Sequence, residues 1–182
     1  MEIAEVASMT MELFSMDHWE LFFTNKNDLA RAREHQLERV ISIFPWIATI
    51  DKFQHWVYEN PQHHLEERKQ KWMEILAEFS SHSVDWTGLK EFREFGWQKQ
   101  LHLFEVPFYY IEYGIAQLGA LGLWMQYKRN KENALQNYVE ALSLGGTRTL
   151  PDLYAAAGLK FDFAKDQIKL LMDFVGEEME KL

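Results

Sequence analysis

The 182 residues include no cysteine. That excludes a disulfide framework, a thiolate nucleophile and any zinc site built on sulfur. Proline and glycine are scarce, at four and nine residues, and residues 1–44 contain neither, so the strongest helix breakers are missing over long stretches. Basic residues are outnumbered, 19 Lys plus Arg against 28 Asp plus Glu, which leaves a net charge of −9. A nucleic-acid groove needs the opposite balance, so no nucleic-acid partner is expected. No apolar run reaches the roughly 18 residues of a membrane span. The opening MEIAEVASMTMEL has no basic segment leading into an apolar one, as a secretory signal would. No membrane association is expected, and the cytoplasm is the expected location.

What the chain does have is an aromatic-rich helical pattern. Hydrophobic residues at 47% and charged residues at 26% give a globular rather than a disordered balance. Seven Trp, thirteen Phe and seven Tyr supply rings that fill cores and also line peptide clefts. Leu29, Ala32, Leu37, Val40 and Ile41 recur at helical spacing. Pro45 predicts a kink or interruption in a helix that resumes over 46–58, and Asn60-Pro61 predicts a turn. A charged amphipathic helix follows over 64–79, with Trp72, Ile75, Leu76 and Phe79 on one stripe. Asp85 reads as the N-cap of a helix over 86–103, and Pro107 as the first turn of one reaching about Tyr127. Asn130 caps a helix ending at Gly145-Gly146, Pro151 opens a short one ended by Gly158, and the last covers 164–181. No strand alternation competes, so the expected fold is all-α, one helical domain over residues 1–182. The helical pattern is already running at Ile3 with no N-cap ahead of it. This reads either as a chain that starts inside a helix or as a frayed terminal helix.

Few residues carry candidate chemistry. A di-iron carboxylate bundle needs Glu-x-x-His pairs, and none of His18, His35, His55, His63, His64, His82 and His102 has a glutamate three positions earlier. His63 and His64, beside Glu59, Glu66 and Glu67, follow Pro61 in a polar stretch and read as a solvated helix start. No HExxH occurs. Glu5 and Glu12 are seven apart and share a helix face with Met9. Glu5 sits among Ile3, Ala4, Val6 and Ala7, as either a surface carboxylate or a buried ligand. In segment 98–127, Tyr109, Tyr110 and Tyr113 cluster at a helix start, followed by the small residues Gly114, Ala116, Gly119, Ala120 and Gly122. Each glycine costs about 1 kcal/mol of helix propensity, which implies a neighbour packed closely against it. Tyrosine phenols, with a reference pKa near 10, remain donors able to bind a peptide carbonyl or an oxyanion. An ordinary aromatic core is the plainer reading of the same rings.

Taken together, these segments resemble a known family. MEIAEVASMTMEL is similar to the stretch of oligoendopeptidase F and thimet-oligopeptidase-like zinc metallopeptidases that carries the third zinc ligand, and Glu5 falls on that ligand position. HLFEVPFYYIEYGIAQLGALGLW resembles the family's substrate-binding segment, ALSLGGTRTLPDLYAAAGLKFDF its Gly-Gly loop and following helix, and IDKFQHWVYENP the helix between. The resemblance implies the C-terminal helical portion of a neurolysin-like metallopeptidase catalytic domain. It also implies that His102 and Tyr113 donate to the tetrahedral oxyanion and that Tyr109 or Tyr110 contacts the substrate, with Glu2 and Glu12 as groups that orient partners. Short peptides are the implied substrates and zinc the implied cofactor, held in the family by the two histidines of HExxH and the later glutamate. Here two ligands and the general base are missing. The resemblance therefore implies a chain that does not hold catalytic zinc or hydrolyse peptides alone, with an N-terminal HExxH-bearing segment as the complementary partner. A start at an internal methionine of a longer reading frame would account for both the missing motif and the mid-helix beginning. The alternative is a catalytically dead helical peptide-binding or interaction module.

Overall fold

The computed structural model describes residues 2–81 and 83–182, apart from the Glu2 side chain; His82 and the orienting role expected of Glu2 lie outside the described residues. The described residues form nine α-helices: α1 Glu2–Ser15, α2 Lys26–Glu59, α3 Leu65–Phe79, α4 Lys90–Glu94, α5 His102–Glu105, α6 Ile111–Arg129, α7 Lys131–Ser143, α8 Leu150–Ala156 and α9 Lys165–Met179. Short 3₁₀ turns occupy Met16–Leu21 and Gly96–Lys99, and no strand occurs among the described residues. The all-α expectation holds. The helices gather into two compact units, divided between Ile41 and Ser42 within α2 and between Gly114 and Ile115 within α6.

The first unit combines residues 1–41 and 115–182. α1 buries Val6, Thr10 and Leu13, one helical stripe, and Phe14 stacks on Tyr127 at 4.3 Å. The small residues of α6 serve the close approach that their spacing predicts. A Cβ added at Gly119 would lie 2.6 Å from the Tyr154 hydroxyl, and one at Gly122 would lie 2.7 Å from Leu159. The Tyr154 hydroxyl donates to the Ile115 carbonyl at 2.6 Å, so the ring is pinned where a side chain would otherwise be. Asn130 caps α7 as expected, its Oδ1 accepting from the Asn133 N–H at 3.1 Å. Gly145 and Gly158 take positive φ after α7 and α8.

The second unit, residues 42–114, is built on Ile50, Phe53, Trp72, Ile75 and Trp97, with Tyr110 packed against that cluster. Trp72 meets Phe53 and Trp46 edge-on at 5.1 and 6.0 Å and donates its indole N–H to the Arg93 carbonyl at 2.8 Å. A buried indole keeps a partner for its one polar atom in this way.

Local expectations are narrowed or corrected at three places. Of the kink or interruption expected at Pro45, the interruption is excluded, because α2 runs on through it. Pro45 still accepts a hydrogen bond at its carbonyl, from the Thr49 hydroxyl at 2.8 Å, and the helix is long enough on both sides to carry the one amide bond proline removes. Between α1 and α2 the chain leaves the α-helix, and Asn25 starts α2 by accepting from the Asn27 and Asp28 N–H groups at 2.8 and 3.3 Å. Residues 86–103 are not one helix: Asp85 caps only a turn, through the Thr87 N–H at 2.9 Å, and Gly88 at φ +79° ends it before α4. Pro107 precedes α6 instead of lying in its first turn, because Phe108 takes φ +59°, a conformation no helix contains.

Candidate functional site

The loop from α5 to α6 gathers the four residues that the sequence singles out around segment 98–127. His102 opens α5, Tyr109 and Tyr110 close the loop, and Tyr113 stands in the first turn of α6. His102 Nε2 lies 3.2 Å from the Tyr113 hydroxyl. The imidazole stacks on Tyr109 at 6.1 Å between centroids and meets Tyr110 and Tyr113 edge-on at 5.0 and 5.6 Å. Tyr109 and Tyr110 in turn meet Tyr113 edge-on at 5.5 and 5.3 Å. All four side chains are half-buried, so the cluster is packed on one side and reachable on the other. Burial holds the Tyr110 hydroxyl above its usual range, against a smaller opposing effect of the Trp46 indole, so it stays a protonated donor at neutral pH.

The backbone that aims these rings is unusual. Phe108 sits in the left-handed region, costly for a bulky residue and tolerated only where its surroundings fix it. Its N–H donates to Gln54 Oε1 at 2.9 Å, and its ring packs on His55 and Tyr58, each at 4.9 Å. Two polar residues that sequence reasoning missed complete the site. Gln100 Nε2 lies 2.6 Å from His102 Nδ1, and Gln100 Oε1 accepts from the Trp46 indole N–H at 3.2 Å. Gln100 could have been noticed two residues before His102, whereas nothing local marks Trp46 or Gln54.

Glu5 belongs to the first unit, half-buried on α1. The Ser8 hydroxyl donates to its carbonyl at 3.1 Å and to its carboxylate Oε2 at 3.3 Å. The Glu12 carboxylate accepts from Gln36 Nε2 at 3.0 Å. Among the described residues no three His, Asp or Glu side chains converge as a metal would require. Catalytic zinc takes three protein ligands and a water. Among the described residues, Glu5 has no histidine partners with which to complete such a set.

The first unit thus carries a half-buried glutamate on α1, and the second a histidine packed among three tyrosines. The chain belongs to peptidase family M3, whose family model matches residues 1–172. It is 31% identical to a solved oligoendopeptidase F, with a TM-score of 0.86, and 28% identical to PZ peptidase A solved with an inhibitor, also at 0.86. An oligoendopeptidase F from Bacillus anthracis str. Ames is 28% identical with a TM-score of 0.76. Each likeness covers 100% of this chain but only 32%, 32% and 29% of those chains, so the chain spans about a third of their length. A comparison with curated proteins finds no match. Family M3 is zinc-dependent in general. Among the described residues no helix is long and apolar enough to cross a membrane.

Proposed function

We propose that this chain supplies the substrate-binding and oxyanion-donating part of a zinc-dependent oligoendopeptidase that cleaves short peptides in the cytoplasm. The observation that carries the reading is the four-ring cluster: an imidazole within 3.2 Å of a tyrosine hydroxyl, with two further tyrosines packed around it. His102 and Tyr113 donate to the oxyanion that develops as the peptide carbonyl becomes tetrahedral. Tyr109 and Tyr110 hold the substrate by ring contact and hydroxyl donation. Fixed donors in a partly dry site need no reorganisation at the moment of reaction, and losing one costs on the order of 3 kcal/mol of barrier. Glu5 contributes one zinc ligand, and a separate HExxH-bearing segment contributes the two histidines and the general base. On this reading the 182 residues alone bind peptides but do not hydrolyse them.

The test is binding and cleavage of a short quenched-fluorescent peptide by the purified chain, alone and with an added HExxH-bearing fragment. Binding without turnover, with turnover restored by the fragment and lost again in Glu5→Gln, is the expected result. Metal-dependent cleavage by the chain alone, abolished by Glu5→Gln, would overturn it. A second reading, a non-catalytic helical peptide-binding module, is favoured by the Ser8 hydrogen bond that already engages the Glu5 carboxylate. It predicts binding that no fragment converts to turnover.

A further inference from the structure

The hydrogen-bond chain behind His102 has a direction. An indole N–H only donates, so the Gln100 atom 3.2 Å from Trp46 Nε1 must be the amide oxygen. The amide nitrogen is thereby turned the other way, to 2.6 Å from His102 Nδ1. An amide NH₂ also only donates, so Nδ1 must accept and carries no proton. A neutral imidazole then keeps its single proton on Nε2, the atom 3.2 Å from the Tyr113 hydroxyl. Nε2–H donates to the Tyr113 oxygen, and Tyr113 keeps its own proton as a donor.

We propose that Gln100, itself oriented by Trp46, is a positioning residue that fixes His102 as the Nε2–H tautomer. The other tautomer would set an N–H against an NH₂ at 2.6 Å and lose the Gln100 hydrogen bond, while on the far side the Tyr113 hydroxyl would turn from acceptor to donor. That penalty makes the Nε2–H form dominate by about tenfold or more. The anchor is firm: the Trp46 ring meets Trp72 edge-on at 6.0 Å and carries the Lys99 ammonium over its face at 5.1 Å. The consequence for chemistry rests on the oxyanion reading above. Only the Nε2–H form presents a donor on the side of Tyr113, and its one proton serves the Tyr113 oxygen until a substrate oxyanion takes it; the reverse tautomer would present a lone pair there.

The experiment is long-range ¹H–¹⁵N correlation of the histidine-labelled 182-residue protein at alkaline pH, where imidazoles are neutral. The His102 signals are assigned by their loss in His102→Asn. We expect Nδ1 far downfield, as an unprotonated ring nitrogen, and Nε2 upfield. In Gln100→Glu, where both oxygens accept, the proton moves to Nδ1 and the two positions exchange. In Gln100→Met, of similar length but without polar atoms, the signals move toward the average of a mixture, with helix content unchanged by circular dichroism. An Nδ1–H signature in the unaltered protein, or identical spectra for it and Gln100→Met, would overturn the proposal; the unaltered protein alone decides it should a variant fail to fold. The two ideas fail separately: peptide affinity unmoved by His102→Asn refutes the peptide reading, whereas an Nδ1–H signature refutes the tautomer lock.

Discussion

Gly119→Ala puts the close approach in α6 to a quantitative test. The added methyl carbon would stand 2.6 Å from the Tyr154 hydroxyl and 3.0 Å from the ring carbon that bears it. Tyr154 is 3% exposed and its hydroxyl is bonded to the Ile115 carbonyl, so it has no free direction of retreat. Relieving the clash means moving a packed ring, which costs about 1–3 kcal/mol, and weakening a hydrogen bond worth about 1 kcal/mol. Alanine returns up to about 1 kcal/mol of helix propensity. The net expectation is a loss of about 1–3 kcal/mol. Gly176, in α9 of the same unit, is the internal control, because a Cβ there meets nothing within 4 Å. Gly176→Ala should stabilise by up to about 1 kcal/mol. Urea unfolding followed by circular dichroism compares the two. Tyr154→Phe removes the nearest clashing atom, so Gly119→Ala should cost less in that background than in the unaltered chain. Equal and favourable effects of the two alanines would refute the claim that close packing selects glycine at position 119.

Three further outcomes are expected. Asn130→Ala removes the cap of α7 and should cost about 1 kcal/mol, read as a fall in melting temperature of about 2–4 °C. Burial tends to raise the Asp17 carboxyl, but Lys128 and Lys131, each 2.8 Å away, outweigh it and hold it below the usual aspartate range. A depressed carboxylate contributes stability above its unfolded value and loses it as pH falls through the folded one. Asp17→Asn should therefore cost about 0.5–1 kcal/mol at neutral pH, with the difference shrinking as pH falls below about 4 and vanishing only once it has passed below the lowered folded value; a difference that persists undiminished in strong acid refutes this. Trp72→Phe leaves the Arg93 carbonyl without its indole donor and should destabilise by about 1–3 kcal/mol in thermal unfolding.

Helix type was legible in the sequence, and helix geometry less so. Asn130, Pro151 and Gly158 act locally, through one hydrogen bond or one dihedral, and each sits where its chemistry predicts. Pro45 also acts locally, yet the long helix around it absorbs the lost amide bond, an outcome set by packing that no single residue announces. The His102 and tyrosine cluster was visible because its members fall within twelve residues. Trp46 and Gln54, which orient it from α2, carry no mark of that role in their own neighbourhoods. Phe108 was invisible for a related reason: its positive φ contradicts its own preference and is paid for by the Gln54 hydrogen bond and the His55 and Tyr58 rings.

Two of these hydrogen bonds share an arithmetic. Trp46 to Gln100 and Gln54 to Phe108 each bridge 54 positions, so the loop is indexed against α2 at two points eight residues apart. Closing a segment of that size costs roughly 3.5 kcal/mol in chain entropy, beyond a constant. The tyrosine constellation therefore depends on α2 being in place beside it. An excised peptide spanning 98–115 would carry every letter of the motif and none of its shape.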